Sequence, residues 1–256
     1  MPSDQLRRVL CLVLPFVQIL TSLLSRVGIG RSVGEVTAAS WTPVIPAGYA
    51  FIIWAVLFAL SVAYGVWQFL PANHGSALAR RTGWPLIGVF LLNSLWQTVA
   101  QLSSAIGFGL VLILLLALAC ALVALFLGRN ATEEPGIGPR WIVAPLVGLM
   151  AGWLTAAAFA NVSAASRALG VTQSAGFGAT VAAVVLLLAA GGTAAAIVSI
   201  IRGASAWFAV GAGWAFAWIV AANLGLNQLN IPAALAAALM LVLVAAAAWQ
   251  GRRVAA

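Results

Sequence analysis

The sequence predicts an all-α membrane protein, a polytopic bundle of about eight transmembrane helices. Of its 256 residues, 64% are hydrophobic and only 6% are charged, and the mean hydropathy is +1.12. A soluble domain carries roughly 25% charged residues. The apolar residues also fall in runs of about 20, the length that a helix needs to cross the hydrocarbon core of a bilayer. The chain is therefore expected to lie in a lipid bilayer.

Eight candidate spans can be placed along the chain. The first follows Arg7-Arg8 and resembles a signal peptide, but no clear small-residue cleavage site follows it, so a retained helix is expected. The short turn at Ser103-Ser104 predicts that the third and fourth spans form an antiparallel hairpin. The polar stretch 223–230, followed by Pro232, ends the seventh span. The predicted spans are 8–26, 46–70, 84–102, 105–127, 141–164, 176–200, 205–222 and 231–250.

The arginines predict the topology. If eight spans alternate in direction, nine arginines share the side of the two termini (Arg7, Arg8, Arg80, Arg81, Arg129, Arg140, Arg202, Arg252 and Arg253) and three lie opposite (Arg26, Arg31 and Arg167). Because cationic loops stay inside, both termini are predicted in the cytoplasm. Arginine without lysine, together with abundant alanine, is typical of a high-GC genome and indicates a bacterial cytoplasmic (inner) membrane. The net charge of +8 is dispersed, so no nucleic-acid partner is expected.

Composition also excludes several kinds of chemistry. The acids lie in the tail or the loops, at Asp4, Glu35, Glu133 and Glu134, whereas ion-coupled transporters and proton pumps need ionisable groups at membrane depth. The one histidine, His74, lies in a loop, which excludes bis-histidine haem ligation by one chain. The sequence holds no carboxylate pair and no cysteine–histidine cluster that could build a hydrolase or a metal site. We therefore expect no enzyme, no catalytic residue and no metal site.

One stretch, Val44–Leu70, carries a more specific pattern than its neighbours. On a helix its aromatic and polar residues fall on one narrow stripe, which is aromatic at one end and small or polar at the other. Lipid does not require such a stripe, so it is expected to face another helix or a flat ligand. The stripe consists of Phe51, Trp54, Phe58, Ser61, Gly65 and Gln68.

Buried amides mark two further spans. Asn93, Gln97 and Gln101 stand on one face of the third span, and the fifth carries Trp153 and Asn161. An unpaired amide in lipid is costly, so these residues must face a neighbouring helix or a cavity. Two interpretations stay open, hydrogen bonds between helices or a polar patch in a ligand cavity. Four tryptophans lie deep enough in their spans to stack on a ligand, namely Trp54, Trp96, Trp153 and Trp214.

Three motifs in order resemble the TspO/translocator-protein family, also called tryptophan-rich sensory proteins, in its longer bacterial branch. They are Pro46–Phe51 followed by Trp54, then Leu92-Asn93 with Trp96, then Trp153 with Asn161. The resemblance covers about 8–165 and implies a five-helix core. Phe58 departs from it, since a tyrosine is usual there. The chain is accordingly divided into a TspO-like core, 1–165, and an additional three-helix segment, 166–256, packed on it within a single membrane domain.

The resemblance implies a function. Members bind tetrapyrroles such as protoporphyrin and haem in a cavity of the five-helix bundle, capped by the loop after the first helix. Here that loop is Gly28–Ile45, with Trp41, Arg26 and Arg31 near the mouth, where arginines could meet porphyrin propionates. The residues expected to bind ligand are Tyr49, Trp54, Phe58, Asn93, Trp96, Gln97, Trp153 and Asn161.

The expected function is therefore to bind, and to transport or sense, a flat hydrophobic molecule such as a porphyrin or haem, with no certain resident cofactor. Two other functions stay open, while a third, an enzyme acting on an isoprenoid or a porphyrin, is disfavoured by the absence of acids within the spans. One is a small-molecule transporter without ion-coupling carboxylates, and the other is a structural subunit of a membrane complex. The expected partners are the bilayer and a hydrophobic small molecule, and the sequence leaves a homodimer open.

Overall fold

A computed structural model describes residues 2–133, 135–173, 175–201 and 205–255, and these residues form a helical bundle. Eight of the helices are long and apolar enough to cross a membrane, which confirms the predicted fold class. The helices are α1 (Pro2–Ser22), α2 (Val33–Ala39), α3 (Ile53–Phe69), α4 (Ala77–Leu102), α5 (Phe108–Leu127), α6 (Ala144–Ala168), α7 (Phe177–Ile201), α8 (Ser205–Asn223) and α9 (Ile231–Ala255). Two loop residues of the sequence analysis, Arg202 and Glu134, lie outside the described residues.

Several helices extend beyond their predicted apolar spans. Helix α1 begins at Pro2, and α4 begins at Ala77, where the Ser76 hydroxyl accepts a hydrogen bond from the Ala79 amide. The predicted loop 71–83 is correspondingly shorter. Helix α3 is preceded by a 3₁₀ turn at Gly48–Ile52. Hydropathy marks the part of a helix that fits the hydrocarbon, whereas a helix continues until a cap or a turn ends it.

The predicted loop 27–45 contains a short helix, α2. The Ser32 hydroxyl accepts from the Glu35 amide at 3.2 Å, and the Glu35 carboxylate accepts from the Ser32 amide at 2.7 Å. This reciprocal capping box satisfies two backbone donors at a helix start. Its Ser-x-x-Glu signature stands in the sequence, so α2 was predictable. We call residues 23–47, which cross one end of the bundle, the lid, and that end the lid end.

Helix α6 lies at the centre of the bundle and packs along α5 and α8. The contact with α8 is close because glycines stand on both helices. A side-chain carbon at Gly152 would overlap the carbonyl oxygen of Phe208, and one at Gly211 would overlap that of Leu149. Small residues at such crossings let two membrane helices approach along their backbones. Helix α8 is therefore built into the wall of the bundle, while α7 and α9 pack together beside it.

The opposite end of the bundle holds a buried arginine. Arg7 is only 1% exposed and donates to the Gln68 side chain, to the Ala79 carbonyl at 2.9 Å and to Asp4 at 3.4 Å. From the sequence, Asp4 was predicted to lie in a tail and the first span to begin at residue 8, after Arg7, whereas both residues lie within α1. The earlier start of α1 places Arg7 against α3 and α4. A charge at such a site requires several partners, which these groups supply.

Candidate ligand cavity

A cavity lies in the lid half of the bundle, between α3, α4, α6, α8 and the lid. It contains about 610 Å³ of empty space when the part open to solvent is counted, but a water-sized sphere can occupy only a small part of it. The space is therefore a narrow cleft rather than an open chamber. Its lining is mostly apolar and comprises Thr37, Ile45, Pro46, Phe51, Trp54, Asn93, Trp96, Ile106, Leu114, Trp153, Leu154, Ala156, Ala157, Ala160, Asn161, Ala215 and Ile219.

Three aromatic rings form one wall of the cavity. Trp153 of α6 meets Phe51 edge-on, with ring centroids 5.9 Å apart, and meets Trp54 edge-on at 6.4 Å. Trp54 in turn packs on Phe58 at 5.6 Å. Edge-to-face contacts at these separations are favourable for aromatic pairs. The 3₁₀ turn and the first turn of α3 thus present rigid rings to α6.

An indole and an amide join α4 to α6 across the cavity. Trp96 Nε1 donates to Asn161 Oδ1 at 3.2 Å, and Asn161 Nδ2 donates to the Ala157 carbonyl at 3.0 Å. Both side chains are largely buried. Asn161 is therefore held by its own helix and presents its oxygen to Trp96, which fixes the position of the indole ring.

A second amide pair leaves hydrogen-bonding capacity unused. Asn93 Nδ2 donates to Gln18 Oε1 of α1 at 2.7 Å, while Asn93 Oδ1 and Gln18 Nε2 are buried without a partner. Exchanging both amides would reverse this bond and still leave one donor and one acceptor unpaired. Buried polar groups are normally hydrogen-bonded. Asn93 lies in the cavity wall and can thus offer a polar contact to a ligand.

Helix α8 closes the remaining side of the cavity. Trp214 Nε1 donates to the Ala50 carbonyl at 2.8 Å, and the Ala47 amide donates to the Trp218 carbonyl at 3.1 Å. The chain around the 3₁₀ turn before α3 is therefore attached to α8 rather than free at the bundle surface. A cavity wall from α8 was not predicted, because the resemblance covered only 8–165. The depth of Trp214 in its span was the one signal for it.

Hydrogen bonds from arginines attach the lid to the bundle at two places along its length. Arg167 of α6 donates to the Ala39 carbonyl at 2.7 Å and to the Trp41 carbonyl at 3.2 Å. Arg31, expected near the mouth, donates to the Ser104 carbonyl at 3.1 Å. Glu35 accepts from the Ser32 hydroxyl and amide, and these bonds, with a smaller contribution from Arg31, hold the pKa of its carboxyl below the ordinary value.

The structure brings together five of the eight residues expected to bind ligand, since Trp54, Asn93, Trp96, Trp153 and Asn161 all line the cavity. The other three lie outside its lining. Tyr49 is 63% exposed and packs on Trp218 at 5.6 Å, because the 3₁₀ turn directs it away from α6. Phe58 lies behind Trp54. For all eight residues, ligand contact stays a prediction.

Gln97, the third residue outside the lining, is buried in α4 beside a contact between helices. The backbone carbonyl of Gln97 accepts from Gln101 Nε2, which also donates to the backbone carbonyl of Thr21 in α1. The amides of α4 thus serve two purposes along one face. Asn93 reaches the cavity, and Gln101 joins two helices.

One family of known proteins matches most of the chain. The family model described as TSPO-like protein matches residues 8–249. Neither a curated protein nor a solved structure matches the chain. The matched region runs through all eight spanning helices and therefore includes α8.

Proposed function

The chain belongs to the family of TSPO-like proteins, and we propose that it binds a flat hydrophobic ligand, such as a porphyrin, in the cavity between α3, α4, α6 and α8. One observation carries this proposal. Three tryptophans from three helices, Trp54, Trp96 and Trp153, meet with two asparagine amides in a single cleft. Small-molecule sites in proteins are commonly apolar and aromatic clefts with a few placed polar groups.

The chemistry of the lining suits an aromatic macrocycle. Tryptophan rings offer large apolar faces for stacking. The unpaired amide atom of Asn93 can contact a polar atom of the ligand. In this structure the space that a water-sized sphere can reach is only about 50 Å³, below the roughly 300–1,000 Å³ that is usual for ligand pockets. Because the cleft is narrow, a porphyrin would enter only if the walls move apart.

The same lining favours binding over catalysis. Among the described residues, the cavity is lined by aliphatic, aromatic, hydroxyl and amide side chains. None of these groups exchanges protons near neutral pH. Acid–base catalysis needs such a group within reach of the substrate. We therefore propose a binding protein rather than an enzyme.

The opposite half of the bundle favours binding over straight passage across the membrane. Tyr64 is fully buried there and hydrogen-bonds Thr82 at 2.7 Å, beside the buried Arg7. A ligand leaving the cavity in that direction would have to displace these packed groups. Transport remains the second candidate, and binding followed by signalling or storage is the simpler function.

A fluorescence titration tests the proposal. Purified protein is titrated with protoporphyrin, and both tryptophan quenching and the porphyrin absorption band are followed. We expect saturable quenching, and a Kd raised about tenfold by Trp54→Ala, which corresponds to about 1.4 kcal/mol. Trp84→Ala is the matched control, because Trp84 is 47% exposed on α4 and absent from the cavity lining. Quenching that never saturates, or an equal effect of both variants, would contradict the proposal.

A further inference from the structure

We infer that the ligand reaches the cavity sideways from the bilayer, between the start of α3 and α8, and that Trp214 holds this entrance closed. The inference rests on the proposed function and adds a route and a gating residue to it. We call the contact line between residues 47–56 and α8 the seam. The lid is the other boundary that a ligand could cross.

A crevice on the outer surface follows the seam. Ile52 and Val56 form one side and Val210 the other, and all three are about half exposed. Leu149 of α6 forms its base, and Trp214 stands at its side. The crevice is almost wholly apolar. In a membrane it would therefore face lipid chains, in which a hydrophobic ligand is dissolved.

The crevice ends next to the cavity. Leu149 at its base is four residues before Trp153 in the cavity wall, which is about one turn of α6. On α8, Trp214 borders the crevice and the adjacent Ala215 borders the cavity. A barrier about one helical turn thick thus separates the two spaces.

Few polar contacts hold this barrier. Among the described residues, two hydrogen bonds join residues 47–52 to α8, from Trp214 Nε1 to the Ala50 carbonyl and from the Ala47 amide to the Trp218 carbonyl. The first comes from the half-buried side chain of Trp214, whose ring also packs edge-on against Trp218 at 5.7 Å. Its loss would free the 3₁₀ turn from Trp214 without breaking a helix.

The lid is fastened more firmly. Its hydrogen bonds reach α4, the residues before α5, α6 and α8, and one of its partners is a charged arginine, which makes stronger bonds than a neutral group. They run from the Arg31 amide to the Gln101 carbonyl, from the Ile106 amide to Ser40 Oγ, between Thr42 and Ser163, from Arg167 to the Ala39 and Trp41 carbonyls, and from Asn223 to the Pro43 carbonyl. Opening the seam therefore disrupts fewer bonds than lifting the lid.

Rates of porphyrin binding test the inference. Protein in lipid nanodiscs is mixed with protoporphyrin in a stopped-flow instrument, and tryptophan quenching is followed. Trp214→Phe keeps a ring and removes the indole donor. We expect association and dissociation to accelerate together by about fivefold, the effect of one neutral hydrogen bond on a barrier, with Kd nearly unchanged. Trp84→Phe is the matched control and should leave both rates unchanged.

Blocking the crevice gives an independent measurement. Val210→Cys is labelled with the bulky N-cyclohexylmaleimide in a Cys120→Ala background; the remaining Cys11 is fully buried. We expect association to slow at least tenfold against the unlabelled variant. Val185→Cys on α7, 59% exposed and outside the crevice, is the labelling control.

The outcomes separate the two proposals. Wild-type protein that shows no saturable binding overturns the proposed function and the entrance together. Saturable binding with rates unchanged in Trp214→Phe and in labelled Val210→Cys overturns the entrance alone. Binding accelerated by Arg167→Gln, which frees the lid, but not by Trp214→Phe would assign entry to the lid. If Trp214→Phe does not fold, the labelled protein decides.

Discussion

In the half of the bundle near Arg7, α1 and α3 lie so close that a side-chain carbon at Gly65 would overlap the Cys11 carbonyl. In the lid half, α3 and α6 are held apart by Trp54 and Trp153, whose rings meet edge-on at 6.4 Å. The same helix thus carries a glycine where it packs and a tryptophan where it borders a cavity. The difference shows how one stripe on α3 builds both a fixed base and a hollow site.

Both halves contain buried polar groups that are only partly paired, but these groups lie in different surroundings. Near Arg7, the guanidinium donates to Gln68 and to the Ala79 carbonyl and so joins three helices, while Arg7 Nε and Gln68 Nε2 are buried without a partner. In the lid half, an atom of the Asn93 amide has no partner. A polar group in an apolar interior costs free energy when unpaired. The bonds of Arg7 join three packed helices, whereas Asn93 lies in the cavity wall, where a ligand can contact its unpaired atom.

Substituting a small residue by leucine should give the largest difference in stability between the two halves of the bundle. Gly65→Leu forces α1 away from α3 and is expected to cost more than about 3 kcal/mol or to prevent folding, since overpacking against backbone cannot relax easily. Ala157→Leu in the cavity wall places the same side chain beside empty space. It should change stability by less than about 1 kcal/mol and abolish porphyrin binding.

Thermal unfolding in detergent and the protoporphyrin titration measure both effects. Expression and gel filtration of Gly65→Ala serve as a milder control for the first variant. Equal destabilisation by the two leucine substitutions would contradict the distinction between a packed and a hollow half.

Removing the hydrogen-bonding partner of a buried polar group should give the next largest effect on the free energy of unfolding. Gln68→Leu leaves the Arg7 guanidinium without its side-chain acceptor on α3. A buried hydrogen bond to a charged group contributes about 1.5–3 kcal/mol, so a loss of about 2 kcal/mol is expected. Asn93→Leu removes a hydrogen bond between two neutral amides. Such a bond contributes less than one to a charged group, so stability should fall by clearly less while binding weakens. Chemical denaturation of both variants measures the two losses of stability. A larger loss in Asn93→Leu than in Gln68→Leu would contradict the prediction.

The sequence predicted the spans because the bilayer imposes one length and one polarity on each helix. It predicted Trp54, Asn93, Trp96, Trp153 and Asn161 as a group, and the structure places all five around one cavity. Their role as ligand contacts is a prediction that the titration above tests.

Other features depend on which helices become neighbours, and hydropathy carries no such information. The burial of Arg7 required its contact with α3 and α4, and the wall from α8 required the glycine crossing with α6. The outward position of Tyr49 depends on a 3₁₀ turn where a regular α-helix was assumed.

Loosening the lid should have a local effect. Arg167→Gln shortens the donor that reaches the Ala39 and Trp41 carbonyls. Because both bonds lie at a partly exposed site, we expect a global loss of no more than about 1 kcal/mol. Amide hydrogen exchange should nevertheless accelerate in residues 36–47 and stay unchanged in α3 near Gly65. Uniform acceleration would show that the lid is not an independent unit.

The smallest expected effect is a pH dependence confined to the lid. Glu35 has a depressed pKa in the folded protein, because its carboxylate accepts from the Ser32 hydroxyl and amide. The folded carboxyl therefore holds its proton less tightly than the unfolded one, and the cap contributes stability at pH values above the ordinary carboxyl pKa. That contribution is lost as the pH falls through the depressed folded pKa. Hydrogen exchange at residues 33–39 should thus accelerate in acid, and Glu35→Gln should remove most of this acid response. A response equally large in Glu35→Gln, or one that extends into the packed half around Tyr64, would show that another group controls it.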